Sequence, residues 1–241
     1  MTSKRAPRFG LARVMSKRGL CSRTQAAALI TEGRVLLDGR RIEDPEHPTD
    51  LENAKIRIEG QAETSAEKRY IALNKPRGLV TTTKDEQGRD TVYSCFEGAD
   101  LPWLAPVGRL DKASEGLLLF SNDPTWAAKI TAPDTGPSKT YHVQVDCIPD
   151  IDMIVKLMQG VELDGEFLSA SSVIVLREGS KNAWLEIVLD EGRNRQIRRL
   201  LAAFDIAVLR LIRIAIGELS LGELAKGEWR ALTPAEVKSL A

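Results

Sequence analysis

The sequence predicts an α+β protein in two parts: a small basic helical domain over residues 9–60, then a larger domain over 70–241 built on a mixed, largely antiparallel sheet. Three observations predict it. Up to residue 58 the apolar residues first follow helical spacing and then alternate as in strands. Residues 61–69 are small, polar and charged, the composition of a linker. From Tyr70 onward short strand-like runs interleave irregularly with helix-like stretches.

Taken in order, residues 1–8 form a basic tail. Leu11, Val14, Met15 and Leu20 give a helical apolar face that Gly19 ends. Ser22 stands at an N-cap position ahead of a helix over Thr24–Glu32, whose inner face is Ala26, Leu29 and Ile30. Gly33 stops that helix. Val35–Leu37 reads as a strand entering the Asp38-Gly39 turn, Ile42 continues beyond it, and Ile56 with Ile58 closes the unit. In the larger domain strands are expected at Tyr70–Leu73, Leu117–Phe120, Thr140–Val145, Val173–Leu176 and Trp184–Leu189. Helices are expected at Trp126–Thr131, Ile151–Gln159 and Arg195–Phe204.

The order helix, turn, helix, strand, turn, strand resembles the RNA-binding domain of the ribosomal protein S-four type. The residues that carry the likeness are Ser22-Arg23, Glu32-Gly33-Arg34-Val35 and Asp38-Gly39. The resemblance implies that Arg13, Lys17, Arg18, Arg23 and Arg34 meet RNA.

Composition narrows the function classes. No apolar run approaches the roughly 18 residues of a membrane span, and the N-terminus lacks the apolar core of a secretory signal. A cytoplasmic protein without membrane partners is expected. Cys21, Cys95 and Cys147 lie far apart and form no C-x-x-C pair; with only His47 and His142 to help, they read as reduced structural thiols, and no metal is expected. A Walker loop fails at Glu228, where the Gly222 to Gly227 spacing would need lysine.

Net charge is zero, but it is not evenly spread. Residues 1–41 hold Lys4, Arg5, Arg8, Arg13, Lys17, Arg18, Arg23, Arg34, Arg40 and Arg41 against Glu32 and Asp38. Residues 193–213 hold Arg193, Arg195, Arg198, Arg199, Arg210 and Arg213 against Asp205. Local basic patches on a neutral chain fit directed contact with a polyanion; a solvated basic face is the plainer alternative for each patch taken alone.

The stretch from Val107 to Phe120 carries the chemistry. Arg109-Leu110-Asp111 lies between Gly108 and Gly116 and runs into an apolar segment, so its charges sit at the mouth of a buried strand. Alone, it could be a surface turn. Three further motifs follow the same order as in a known family: Asn74-Lys75-Pro76-Arg77-Gly78, Lys139-Thr140-Tyr141, and Glu191-Gly192-Arg193-Asn194-Arg195-Gln196-Ile197-Arg198-Arg199. With the 107–120 stretch they resemble the motifs of pseudouridine synthases of the RsuA and RluA type. The N-terminal domain points to the RsuA branch.

The resemblance implies isomerisation of a uridine in structured RNA without a cofactor. It implies Asp111 as the catalytic carboxylate, either nucleophile or stabiliser of the sugar cation, and Tyr141 as the base that removes the final proton and stacks on the ring. It implies Arg198 as the cation paired with Asp111, Arg109 as the residue that holds the flipped-out nucleotide, and Leu200 or Leu201 as the apolar support beneath the base. Arg193, Arg195 and Arg199 read as phosphate contacts or surface charge. His142 alternates with Tyr141 and faces away, and Glu115 receives no catalytic role. The stretches Leu209–Arg213 and Gly227–Arg230 look most like the large-subunit ribosomal RNA enzymes, so the expected partner is ribosomal RNA or a ribosome-assembly intermediate, met by a monomer. Small-subunit RNA and transfer RNA are the alternative substrates. An inactive RNA-binding assembly factor is the alternative from another class, and a glycosidic hydrolase, which would ordinarily want two carboxylates, is a third.

Overall fold

The structure, a computed structural model, describes residues 8–60, 67–82, 85 and 87–240. The expected basic tail, apart from Arg8, and residues 61–66 of the expected linker lie outside the described residues. The chain forms two compact units. One runs through Tyr70 and includes Ala99–Ala105 and Phe120–Thr125; the other comprises Ile71–Gly98, Pro106–Leu119 and Trp126 onward.

The first unit contains β1 (Arg8–Gly10), α1 (Leu11–Lys17), α2 (Arg23–Thr31), β2 (Val35–Leu37), β3 (Arg40–Ile42), β4 (Pro48–Asp50) and β5 (Ile56–Ile58). Ser22 caps α2 as expected: its side chain accepts from Gln25 N, and the Gln25 side chain accepts from Ser22 N. Strand β2 pairs antiparallel with both β3 and β5. The β2–β3 turn places Asp38 and Gly39 at φ 49° and 82°, the left-handed pair a two-residue hairpin needs. Leu11, Met15, Ala26, Ile30, Val35 and Ile58 meet in one core. Sequence pattern does not predict the β1–β4 ladder, because Pro48-Thr49-Asp50 carries little apolar alternation.

The larger sheet holds β6 (Tyr70–Lys75), β7 (Ala105–Val107), β8 (Glu115–Ser121), β9 (Lys139–Val145), β12 (Ser172–Glu178), β13 (Ala183–Leu189), β14 (Val208–Ile216), β15 (Leu219–Ser220) and β16 (Trp229–Ala231). Around it lie α3 (Pro124–Thr131), α4 (Ile151–Gln159), the hairpin β10–β11 (Val161–Leu163, Glu166–Leu168), α5 (Gln196–Ala202) and α6 (Pro234–Ser239). The order is β12-β13-β9-β14-β8-β6-β16, with β15 on β14 and β7 on β8. Strands β12, β13, β9 and β14 pair antiparallel in turn, and β14 then pairs parallel with β8. The sheet is therefore mixed with mainly antiparallel pairs, as the irregular alternation of elements predicts.

Strand β8 is interior. Leu118, Leu119 and Phe120 are each 0% exposed, so truncating Leu118 to alanine would cost about 2–5 kcal/mol. At its start Gly116 has φ +100°, and a Cβ there would stand 2.3 Å from the Arg213 carbonyl oxygen. Glycine lets β8 and β14 come close enough to pair at that point. Alternation along β9 buries Lys139, Tyr141, Val143 and Val145 on one face. His142, on the other face, lies 3.3 Å from Glu186 of β13.

Candidate active site

A cavity of about 480 Å³ opens in the larger unit. The loop before β8 supplies Arg109, Leu110 and Asp111. One face of the sheet supplies Lys139 and Tyr141 from β9, Leu189 from β13, and Leu211, Arg213 and Ile216 from β14. The segment through the start of α5 supplies Arg193, Arg195, Ile197 and Arg198. Three of the four motif stretches thus converge on one volume, and the fourth supports it from below.

That support comes from the Asn74–Gly78 stretch. Lys75, the last residue of β6, is 0% exposed. Its Nζ donates to the Ser114 carbonyl at 2.8 Å and the Pro76 carbonyl at 3.0 Å. Gly78 N donates to Lys112 O, the Thr81 hydroxyl donates to Leu110 O, and Ser114 N donates to Asp111 O. The Asp111 loop is therefore held on both sides by its backbone, and its carboxylate faces the cavity. Burial pulls the Lys75 ammonium down to about 8, with Cys95, Glu115 and Asp111 acting the other way. Sequence reasoning assigns no function to Lys75 or Thr81. Lys75 is marked by its place in the Asn74–Gly78 motif and as a lysine closing an apolar strand; no sequence signal marks Thr81.

Asp111 is half-buried, and its ion pair is with Arg195: Nη1 lies 3.3 Å from Oδ2. This corrects the expectation that Arg198 is the direct partner. Arg198 instead donates Nη2 to Ala113 O and Nη1 to Val208 O, at 3.3 and 3.4 Å, and its buried Nε has no partner among the described residues. Burial, then the Arg195 guanidinium, holds Arg198 below its ordinary value, while the Asp111 charge opposes them. The backbone explains the exchange. Arg195 sits at φ 50°, a left-handed conformation uncommon for a side-chain-bearing residue, just before α5. Its side chain leaves at the helix mouth, whereas Arg198 lies inside the first turn. Gln196, 3% exposed, fixes this turn by accepting from Arg193 N and donating to Ser169 O and Glu191 Oε1.

The other expected site residues separate. Arg109 is exposed at the cavity wall and makes no ion pair among the described residues. Arg193 also lines the cavity and holds Glu191 at 2.8 Å. Arg199 points away, bound to Glu166 and Asp164 on the β10–β11 hairpin. Leu200 and Leu201 are 0% exposed and do not line the cavity. They sit on the inward side of α5, and Ile197 presents the apolar surface instead. Glu115 is 3% exposed and held by Arg210 and Lys226 at 2.8 and 2.7 Å.

In the first unit Arg13 and Lys17 lie one helical turn apart on α1, both over the Phe9 ring, at 5.0 and 4.3 Å from its centroid. Arg18 spends Nε and Nη1 on the carbonyls of Leu51 and Ala54. Arg23 pairs with Glu46, and Arg34 with Glu32, as exposed surface pairs. No group of three or more metal-ligating side chains occurs among the described residues, and none of the described helices is long and apolar enough to cross a membrane.

Two family models match the chain: RNA pseudouridylate synthase over residues 69–203 and the S4 domain over residues 9–53. An RNA pseudouridine synthase of Rickettsia bellii is 38% identical over 92% of this chain and 96% of its own length. Ribosomal large subunit pseudouridine synthase B of Bacillus subtilis is 34% identical over 95% of this chain and 94% of its own. Among solved structures, a pseudouridylate synthase superposes with a TM-score of 0.67 at 28% identity, covering 97% of this chain and 100% of that one.

Proposed function

The chain belongs to the RNA pseudouridylate synthase family, and from that premise we propose that it converts a uridine of large-subunit ribosomal RNA, with Asp111 and Tyr141 as its reacting groups and Arg198 as a catalytic cation beside them. Isomerisation of uridine to pseudouridine breaks the bond from ribose to the ring nitrogen, turns the ring and rejoins it through carbon. One carboxylate must meet the sugar carbon as that bond breaks. The observation that carries the assignment is the Asp111 carboxylate, fixed through its backbone and facing the cavity that also holds Tyr141.

In this reading Tyr141 stacks on the ring and removes the proton from the newly bonded carbon. Arg195 aims the Asp111 carboxylate through their ion pair. Arg198, inside the first turn of α5, adds a second positive charge near it. Arg109, exposed at the mouth, has the planar fork to fill the gap left by an extruded base and to touch phosphate. Residues 9–60 act as an RNA-gripping domain, residues 61–69 as its linker and residues 70–241 as the catalytic domain. Arg13, exposed, and Lys17, half-buried, are the strongest phosphate contacts of the gripping domain.

The choice of large-subunit RNA is supported by the likeness to the Bacillus subtilis enzyme along nearly the whole chain. Such a substrate fits an enzyme of the cytoplasm, and we propose that it acts there as a monomer. Mapping pseudouridine across all ribosomal and transfer RNAs in cells with and without the gene tests the proposal. Loss of one position in large-subunit RNA is expected. Loss confined to small-subunit or transfer RNA would overturn the substrate, and no loss at all would favour an assembly factor.

A further inference from the structure

In sequence Arg213 is only one member of a basic patch, yet it is 5% exposed and lines the cavity. It sits on β14 directly opposite Tyr141 of β9. Paired residues of neighbouring strands project on the same side of a sheet, so the guanidinium and the tyrosine ring share the cavity floor. Its Nε donates to Leu117 O at 2.7 Å, which fixes the fork. Its Nη2 is buried with no partner among the described residues. A buried guanidinium donor left unmade is costly, and such an atom at a cavity floor is poised for an acceptor brought by a ligand.

Lys139 stands on the same face, 9% exposed, and also lines the cavity. Burial and then Arg213 pull its ammonium below its ordinary value, with Asp190 opposing. Around the two cations the lining is a tyrosine ring and aliphatic side chains: Tyr141, Leu189, Leu211 and Ile216. A phosphate is better served at the cavity mouth, where Arg109 and Arg195 are exposed. A planar ring with oxygen acceptors suits the floor.

We propose that Arg213, aided by Lys139, binds a carbonyl oxygen of the target uracil and stabilises the negative charge the ring carries while it is detached. The inference rests on the Asp111 cavity being the catalytic site. When the bond from C1′ to N1 breaks, its electron pair leaves with the ring. The charge spreads over N1 and the oxygens on C2 and C4, while C1′ is left facing Asp111. When C5 bonds to C1′ that pair enters the new bond, the C5 proton departs to a base and N1 gains a proton. No atom is gained or lost overall. A fixed, buried donor at one oxygen stabilises the ring most when its charge is largest, so it lowers the barrier rather than merely tightening binding.

The test compares wild type and Arg213→Met on three RNAs carrying uridine, 2-thiouridine or 4-thiouridine at the target position. Sulfur is a poor acceptor, and its other effects on the ring cancel in the ratio of the two enzymes' single-turnover rates. On uridine that ratio should be about a hundred, with RNA affinity little changed. On one of the two thio substrates it should shrink to about ten or less, since sulfur has already weakened the hydrogen bond that the substitution removes. An equal ratio on all three RNAs would mean that Arg213 serves the fold and not the base, and would overturn the proposal. Should Arg213→Met not fold, Arg213→Lys keeps the charge and is read by the same ratio. Asp111→Asn is run beside them on uridine RNA: an active Asp111→Asn would sink the site assignment itself, whatever the thio ratios give.

Discussion

The two basic stretches look alike in sequence and are used differently in the fold, although Arg18 of the first, like Arg198 and Arg213 of the second, is bound to backbone carbonyls and keeps one buried nitrogen without a partner among the described residues. Among the cations of α1 and α2, Arg13 and Lys17 lie over an aromatic ring at the surface, and Arg23 forms an exposed pair. From Arg193 to Arg213 the arginines are sorted. Arg199 is bound to carboxylates, Arg195 is placed on Asp111, and Arg198 and Arg213 lie inside against backbone carbonyls, each with one buried nitrogen left unpartnered among the described residues. The difference teaches that charge count does not tell an exposed arginine from one that lines the cavity, as Arg198 and Arg213 do and Arg18 does not. A surface cation is screened by salt; a buried one acts at short range in low dielectric.

The comparison breaks most sharply at Arg198. Arg198→Lys keeps a positive charge and loses the planar fork that reaches both Ala113 O and Val208 O. Single-turnover conversion should fall about a hundredfold or more, roughly 3 kcal/mol, with affinity for RNA nearly intact. A variant that binds weakly yet reacts at the normal rate would place Arg198 among the phosphate contacts instead.

Acid should act next, through Glu115. Its two cationic partners, Arg210 before Lys226, hold the carboxyl down at about 2, against an ordinary value of 4.5. A depressed carboxyl stabilises the fold above its unfolded value, and that stability is lost as pH falls from about 4.5 toward 2. Unfolding midpoints in urea, followed over that range, should converge between wild type and Glu115→Gln. Parallel curves would show that the ion pairs add nothing to stability.

The smallest effect belongs to the surface set. Arg13→Gln with Lys17→Gln should leave the chemical step unchanged at saturating RNA. The same pair should lower the slope of log affinity against log salt by about two, one for each phosphate that the variant no longer neutralises. An unchanged slope would make α1 a solvated basic face.

Much of this was legible in the sequence. The capped α2, the Asp38-Gly39 hairpin and the buried β8 each follow from local pattern, and the resemblance of four motifs to those of a known family singled out Asp111 and Tyr141, which line one cavity. What was not legible depends on approach between distant elements. The β1–β4 ladder has too little apolar alternation to read. Arg195 and Arg198 are three residues apart, and only the left-handed backbone at Arg195 decides which one pairs with Asp111. The fate of Leu200 against Ile197 turns on the rotation of α5, which one apolar helix turn leaves open. Lys75 and Arg213 look like surface charges until the strands around them are assembled.

The central claim, that a fixed carboxylate in this cavity performs the isomerisation, is tested most directly by Asp111→Asn. Asparagine keeps the shape and removes the charge, and the loop is held by Lys75, Thr81 and Ser114 through backbone bonds that the change does not touch. Pseudouridine formation on the mapped RNA should fall below detection, with the unfolding midpoint and RNA affinity close to wild type. A stable Asp111→Asn protein that still forms pseudouridine at a substantial rate would contradict the account.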